Sequence, residues 1–141
     1  MAKQMDQRLF YLLNIARHKV YKYADQQSED ALGVSVTQLG ALMLIDQDDG
    51  CLLKDVAKRL HLNNSALTGL ATRMVQNGLV ERRACDKDGR ASRLHLTELG
   101  RSKIEEAKPL ITQLNAVLKE GFSEDEVQVI LRFLNRLVTA F

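Results

Sequence analysis

The chain has 141 residues, of which 45% are hydrophobic, and a formal net charge of +2. This length allows one sizeable core, so we expect a single domain over residues 1–141. The single proline argues against disorder, and no run of about 20 apolar residues indicates a membrane span. The N-terminus lacks the apolar core of a signal peptide, so we expect a cytoplasmic protein that does not associate with membranes.

Charge is distributed unevenly along the chain. Residues 54–103 carry eleven Lys or Arg against five Asp or Glu, a net charge of +6, whereas the remaining residues carry nine against thirteen, a net charge of −4. A basic middle between acidic flanks is typical of a protein that binds a polyanion through its middle. All seven aromatic residues lie in segments 10–23 and 122–141, which predicts that the ends pack together or against a second subunit.

A first helix is predicted over residues 6–27, because apolar side chains recur there at steps of three and four. They are Leu9, Leu13, Ala16, Val20 and Tyr23. Ser35 and Gln38 have the spacing of a capping box, so a second helix is expected to run from there to about Asp46.

Two further helices are predicted before residue 78. The first runs from Leu53 to Leu60, and the second covers residues 64–76, with Asn63 as its N-cap and Gly78 in the left-handed position after its end. The periodicity then changes to two, which predicts strands at 79–83 and 93–96 joined by a turn at 86–91.

Two long helices complete the predicted fold. Thr97 is expected to cap a helix that continues to about Leu118 and is kinked at Pro109. Ser123 and Glu126 form a second capping box and open a last amphipathic helix. The fold class predicted from these elements is mainly α with a small β-hairpin.

Two short helices followed directly by a basic hairpin predict a winged helix-turn-helix. A helix that enters the DNA major groove needs an outward face without bulky apolar groups, and residues 64–76 meet this condition. The predicted DNA-binding residues on that helix are Asn64, Ser65, Thr68, Gly69, Thr72 and Arg73. Gly69 costs helix stability, which we interpret as allowing close approach to DNA.

The hairpin concentrates five cations within twelve residues: Arg82, Arg83, Lys87, Arg90 and Arg93. Arginine at a hairpin tip suits the narrow minor groove of A/T-rich DNA. We therefore predict DNA contacts at Lys87, Asp88 and Arg90. Asp88 is expected to aim either Arg90 or Arg83 through an ion pair.

The sequence resembles the MarR family of transcription regulators over most of its length. The most similar segments are 55–60, 67–70, 77–82, 86–90 and 96–100, which include Asp86-x-Asp88-x-Arg90 and Leu96-Thr97-x-x-Gly100. The resemblance implies a winged helix-turn-helix over residues 36–100 and dimerisation helices at 6–30 and 101–141. It also implies a homodimer that binds a pseudo-palindromic operator in double-stranded DNA, with Arg90 in a minor groove.

The same resemblance implies a ligand-responsive repressor whose effector, a small aromatic or anionic molecule, binds in a cleft lined by the first, second and fifth helices. The candidate ligand-binding residues are Tyr11, Ile15, His18, Leu39 and Met43. The chain departs from the family pattern at Gly69, where relatives have a larger and often basic side chain. It also lacks the early cysteine of the peroxide-sensing members.

Three alternatives carry less support. An enzyme is disfavoured because no nucleophile has an activating neighbourhood and no phosphate-binding loop is present. A protein-binding winged helix would favour acidic or apolar residues on the outer face of helix 64–76. A metal-responsive repressor is disfavoured because the two cysteines and three histidines lack ligand spacing, so we expect neither metal nor cofactor. Cys51 and Cys85 are expected as reduced thiols unless the fold brings them together.

Overall fold

The computed structural model describes residues 4–85 and 88–141, without the side chains of residues 64, 85 and 88–90. Within these residues the chain forms six α-helices and one antiparallel two-stranded sheet, as the sequence predicts. The helices are α1 (Leu9–Leu32), α2 (Val36–Gln47), α3 (Leu53–Leu60), α4 (Asn64–Gln76), α5 (Glu98–Lys119) and α6 (Glu124–Ala140). The strands are β1 (Val80–Cys85) and β2 (Asp88–Leu96). None of the described helices is long and apolar enough to span a bilayer.

The chain divides into two compact units, Met1–Lys108 and Pro109–Phe141. α5 continues through Pro109, which is the first residue of the second unit. The core of the first unit is aliphatic, because α2, α4 and the sheet contribute Leu and Ile side chains together with Met74. Its largest fully buried residues include Leu42, Ile45, Met74, Leu79 and Leu94.

α1 ends at Leu32, one turn beyond the predicted residue 27. Ser28 and Leu32, one helical turn apart, continue the buried side of the helix, and Gly33 ends it with a φ of 72°. The sequence pattern predicts an earlier end of this helix because Ser28 is polar. In the fold the Ser28 hydroxyl donates a hydrogen bond to the Val34 carbonyl at 2.7 Å, so its burial leaves no lost hydrogen bond.

The start of α2 differs from the predicted capping box. The Ser35 hydroxyl accepts from the Gln38 amide, but the Gln38 side chain is buried and its Oε1 has no partner among the described residues. A second cap comes instead from α1, where Asp25 Oδ1 accepts from the Val36 amide at 2.7 Å. α1 thus fixes the start of α2 directly.

The hairpin is longer than predicted, because most of the predicted turn at 86–91 belongs to β2. Pairing runs from Val80 opposite Leu96 to Cys85 opposite Asp88, with a shift in register between Ala84 and Cys85. Polar residues in this segment indicate a turn, but β2 begins within it, at Asp88, which pairs with Cys85. An isolated bridge between Leu52 and Arg93 places the chain just before α3 beside β2.

Candidate nucleic-acid interface

α3 and α4 form a helix-turn-helix joined by residues 61–63. His61 ends α3 in the left-handed region with a φ of 56°. The Asn63 side chain caps α4 by accepting from the Ala66 amide at 2.8 Å, as the sequence predicts. Gly78, with a φ of 72°, follows the C-terminal end of α4 and turns the chain into the hairpin.

α4 has one buried side and one exposed side. Leu67, Leu70, Ala71 and Met74 face the core. The opposite side carries small polar residues and one cation, and its exposed members include Ser65, Thr68, Thr72 and Arg73. This separation places the predicted contact residues on a solvent-facing surface, as entry into a major groove requires, and Val75, which is 40% exposed, is the one large apolar side chain of α4 that is exposed among the described residues. The Asn64 side chain lies outside the described residues.

Gly69 and Arg73 lie one turn apart on this exposed side. A side-chain carbon added at Gly69 would lie 3.4 Å from Arg73 Nη1 and meet nothing else within 4 Å outside the helix's own backbone. The Thr72 hydroxyl donates to the Thr68 carbonyl at 2.9 Å, which orients its methyl group away from that carbonyl. The Arg73 guanidinium therefore lies beside Gly69.

Two of the predicted hairpin cations are exposed on β1. Arg82 Nε donates to Ser92 Oγ across the sheet at 3.0 Å, and Arg83 Nη2 pairs with Glu81 Oε2 at 2.8 Å. Glu81 is thus a described partner of Arg83. Lys87 and the side chains of Asp88 and Arg90 lie outside the described residues, so the predicted pairing of Asp88 stays a prediction.

Arg93 does not share this exposed position. It is half-buried, and its Nη1 donates to the Gly50 carbonyl at 2.8 Å. One of the five hairpin cations therefore attaches the hairpin to the turn between α2 and α3. Sequence analysis missed this because the two residues are 43 positions apart.

The turn between α2 and α3 contains another contact that sequence analysis missed. Asp49 Oδ1 accepts from the Leu96 amide at 2.9 Å, and Oδ2 pairs with Arg101 Nη2 at 2.9 Å. His95 Nδ1 lies 3.9 Å from Oδ1. The sequence Asp48-Asp49-Gly50 indicates a turn, but no local pattern identifies partners that lie 47 and 52 residues away.

The candidate ligand-binding residues occupy different environments. Leu39 is buried in the core, Ile15 and Met43 are half-buried, and the exposed Tyr11 ring lies under the Arg8 guanidinium at 3.9 Å. His18 lines a shallow groove of about 390 Å³ on α1. Its other lining residues are Arg17, Tyr21, Lys22, Asp25, Gln26 and Glu29. His18 is the one candidate among these lining residues.

Cys51 is a buried free thiol just before α3. Burial raises its pKa, and the carboxylates of Asp48 and Asp55 raise it further. The Cys85 side chain lies outside the described residues. Among the residues that are described, no group of three or more His, Cys, Asp or Glu is arranged to hold a metal ion.

Comparison with known proteins places this architecture among transcription regulators. Residues 34–92 match the family model described as MarR family. The HTH-type transcriptional regulator BilQ of Clostridium symbiosum is 23% identical over 133 residues, which are 94% of this chain and 92% of that protein.

Two solved structures have the same fold. One is the DNA complex of MepR from S. aureus, with a TM-score of 0.83 and 21% identity over 98% of this chain and 100% of that chain. The other is PcaV from Streptomyces coelicolor in complex with its natural ligand, with a TM-score of 0.81 and 20% identity over 99% of this chain and 98% of that one. Residues 34–92 therefore match the MarR family of transcription regulators, and the chain as a whole shares its winged-helix fold with these two solved structures.

Proposed function

We propose that the protein is a ligand-responsive repressor that binds a pseudo-palindromic operator in double-stranded DNA as a homodimer in the cytoplasm. The observation that carries this proposal is the exposed side of α4, which holds small polar residues and Arg73 and is followed directly by a basic hairpin. Small polar side chains and arginine are the groups that read base edges and phosphates.

Residues 36–100 form the proposed DNA-binding part. In the major groove, Asn64 and Arg73 would contact base edges, whereas Ser65, Thr68 and Thr72 would contact bases or phosphates. Gly69 would let the helix approach the DNA closely. In the hairpin, Lys87 and Arg90 would contact the phosphates and the minor groove, and Asp88 would orient an arginine.

The proposed dimer would be formed by the helices within residues 6–30 and 101–141. All 17 residues of α6 are described, and none of them is buried. Leu131, Leu134 and Val138 are 43%, 42% and 79% exposed. An exposed apolar stripe of this kind is typical of an interface with another subunit.

In this proposal the effector binds in the groove on α1. Its N-terminal half contains Arg17, His18 and Lys22, which suit an anion, and Tyr21 offers an aromatic ring. Asp25 lines the same groove and caps α2. An effector bound there would therefore contact a residue that fixes the start of the DNA-binding part.

The proposal is tested with a DNA duplex that the wild-type protein selects from a random-sequence pool. We expect Arg90→Ala to weaken binding of this duplex in a gel-shift titration by about 10-fold and to lower the salt dependence, because one cation leaves the interface. Lys119→Ala removes the same charge from the end of α5 and serves as the control. Selection of no duplex, or equal affinity of the Arg90→Ala and wild-type proteins, would contradict the proposal.

A further inference from the structure

The turn between α2 and α3 is attached to the end of the hairpin by a set of contacts that we call the Asp49 latch. The latch consists of the turn 49–51 with its partners 93–96 and Arg101. Besides the two bonds of the Asp49 carboxylate, the Gly50 amide donates to the Leu94 carbonyl at 2.9 Å, and the Leu94 amide donates to the Cys51 carbonyl at 3.0 Å. Arg93 adds its bond to the Gly50 carbonyl.

The latch leaves little room for rearrangement. Gly50 has a φ of 87°, and a side-chain carbon added to it would lie 2.9 Å from the His95 ring. Packing of this ring and the positive φ both require glycine at the turn. The Asp49 side chain is 37% exposed, so its bond to the Leu96 amide is partly shielded from water, while the 53% exposed Arg101 contributes a weaker ion pair.

The latch gives the hairpin a second attachment to the helix-turn-helix. The first is the tight turn after α4, where the Leu79 amide donates to the Met74 carbonyl at 3.0 Å. The buried side chains of Val80 and Leu94 also pack the base of the hairpin into the core, and the latch adds directional hydrogen bonds on the side of β2. Two attachments, one on each strand, fix the direction of the hairpin relative to α4.

We infer that Asp49 is a positioning residue for DNA binding, which holds the hairpin at the angle that lets its tip and α4 engage one duplex together. This inference rests on the proposed function, since it presupposes that the hairpin contacts DNA. Asp49 itself is an anion in the DNA-binding part and has no favourable interaction with phosphates. Its contribution therefore has to come through the residues it holds.

The sign of the expected effect separates positioning from simple electrostatics. Removing an acidic residue near the interface strengthens attraction to DNA if charge alone matters. If Asp49 positions the hairpin, the same removal weakens binding. Asp48 supplies the matched control, because it is the adjacent, exposed carboxylate of the same turn, and Asp48→Ala changes the charge by the same amount.

The experiment compares Asp49→Ala, Asp49→Asn and Asp48→Ala on a duplex selected by the wild-type protein. Affinity is measured by gel shift, and hydroxyl-radical and major-groove methylation footprints are recorded on the bound complexes. We expect Asp49→Ala to lose about 10-fold in affinity. It should also lose minor-groove protection at the flanks and keep major-groove protection at the centre of each half-site. Asp49→Asn retains an acceptor for the Leu96 amide. This variant should therefore recover most of the affinity and most of the minor-groove protection.

Three results would overturn the inference. One is an affinity of Asp49→Ala that equals that of Asp48→Ala. Another is a footprint of the bound Asp49→Ala complex that equals that of the wild-type complex, since general destabilisation lowers the active fraction without changing the footprint of each complex. The third is an unchanged salt dependence in Asp49→Ala, because lost hairpin contacts release fewer counterions. If the wild-type protein selects no duplex, the proposed function fails instead.

Discussion

Two glycines show how differently single residues contribute to this fold. Gly100, at the start of α5, lies so close to the Leu79 carbonyl oxygen that an added side-chain carbon would overlap it. That carbonyl also accepts from the Thr97 amide and hydroxyl, so it cannot move away without losing these bonds. Gly69, on the exposed side of α4, has open space on all sides except toward the flexible end of Arg73.

We therefore expect Gly69→Ala and Gly100→Ala to change stability in opposite directions. Alanine at position 69 should raise the free energy of unfolding by about 1 kcal/mol, because glycine is a poor helix former. Alanine at position 100 should lower it by about 1–3 kcal/mol or more, because the overlap forces the backbone to shift. Urea unfolding followed by circular dichroism measures both.

The Gly69→Ala variant also tests the proposed role of this residue. If Gly69 lies against DNA, the more stable variant should bind its duplex more weakly in a gel-shift titration. Equal or tighter binding would mean that Gly69 is merely tolerated in α4.

Cys51 provides a second prediction about a single residue. Burial raises the pKa of its thiol, as do the nearby Asp48 and Asp55 carboxylates, so the reactive thiolate is scarcer at neutral pH than in a free cysteine. In a Cys85→Ser variant, which leaves one thiol, Cys51 should react with a thiol reagent more slowly than free cysteine, and urea should remove the difference. Fast reaction in the folded state would favour a redox-sensing role.

Helix caps show which interactions a sequence reveals. Asn63 and Ser123 were predictable because a capping side chain bonds an amide three residues ahead. Asp25, Asp49 and Arg93 were not predictable, since their partners are 11 to 52 residues away. Their bonds depend on the tertiary fold, which the local sequence does not specify.

Among the helices, α6 has the most complete cap. The Ser123 hydroxyl accepts from the Glu126 amide, and Glu126 Oε1 accepts from the Ser123 amide at 2.9 Å, as the sequence predicts. The hydrogen bond from the Ser123 backbone amide lowers the pKa of the Glu126 carboxyl. A hydrogen bond with the Ser123 side chain lowers the same pKa to a smaller extent.

Since the pKa of Glu126 is lowered in the folded state, its contribution to stability is present above the unfolded pKa and is lost as the pH falls through the folded pKa. An NMR titration should therefore show the Ser123 amide resonance moving at a pH below that at which an ordinary glutamate titrates. Glu126→Gln keeps an acceptor oxygen but cannot titrate, so the same resonance should stay in place. A shift of equal size in that variant would assign the titration to another group.

The hairpin marks the limit of prediction for whole elements. Alternating residues locate both strands, but the polar stretch from Asp86 to Ala91 predicts a turn, whereas β2 begins at Asp88 and the register shifts within this stretch. Similarly, α1 runs past residue 27 because Leu32 and the hydrogen-bonded Ser28 extend its buried side. Element type followed from periodicity, whereas element ends depended on tertiary contacts.

For the whole molecule, the most informative property is where apolar surface remains exposed. Among the described residues, the exposed large hydrophobic side chains lie in segments 5–23 and 117–141, with Val75 and Leu99 as the exceptions. α1 is fully described, and of its 24 residues Ser28 and Leu32 alone are buried. Aromatic residues fall in the same two segments, which is why the sequence predicts that the ends pack together or against a second subunit.

If these segments form the dimer, charges placed on the apolar stripe of α6 should separate the subunits. We expect a Leu131→Glu, Leu134→Glu variant to sediment as a monomer at concentrations at which the wild-type protein is a dimer, because burying two carboxylates costs more than the interface can supply. Arg132→Glu and Gln128→Glu introduce the same side chain on the remaining face of α6 and serve as controls. Since α6 buries none of its residues in the described chain, the double variant should keep its helical circular dichroism. If the variant dimerises with unchanged affinity, the subunits associate through another surface. If its monomers still protect both half-sites of a selected duplex, DNA binding does not depend on the dimer.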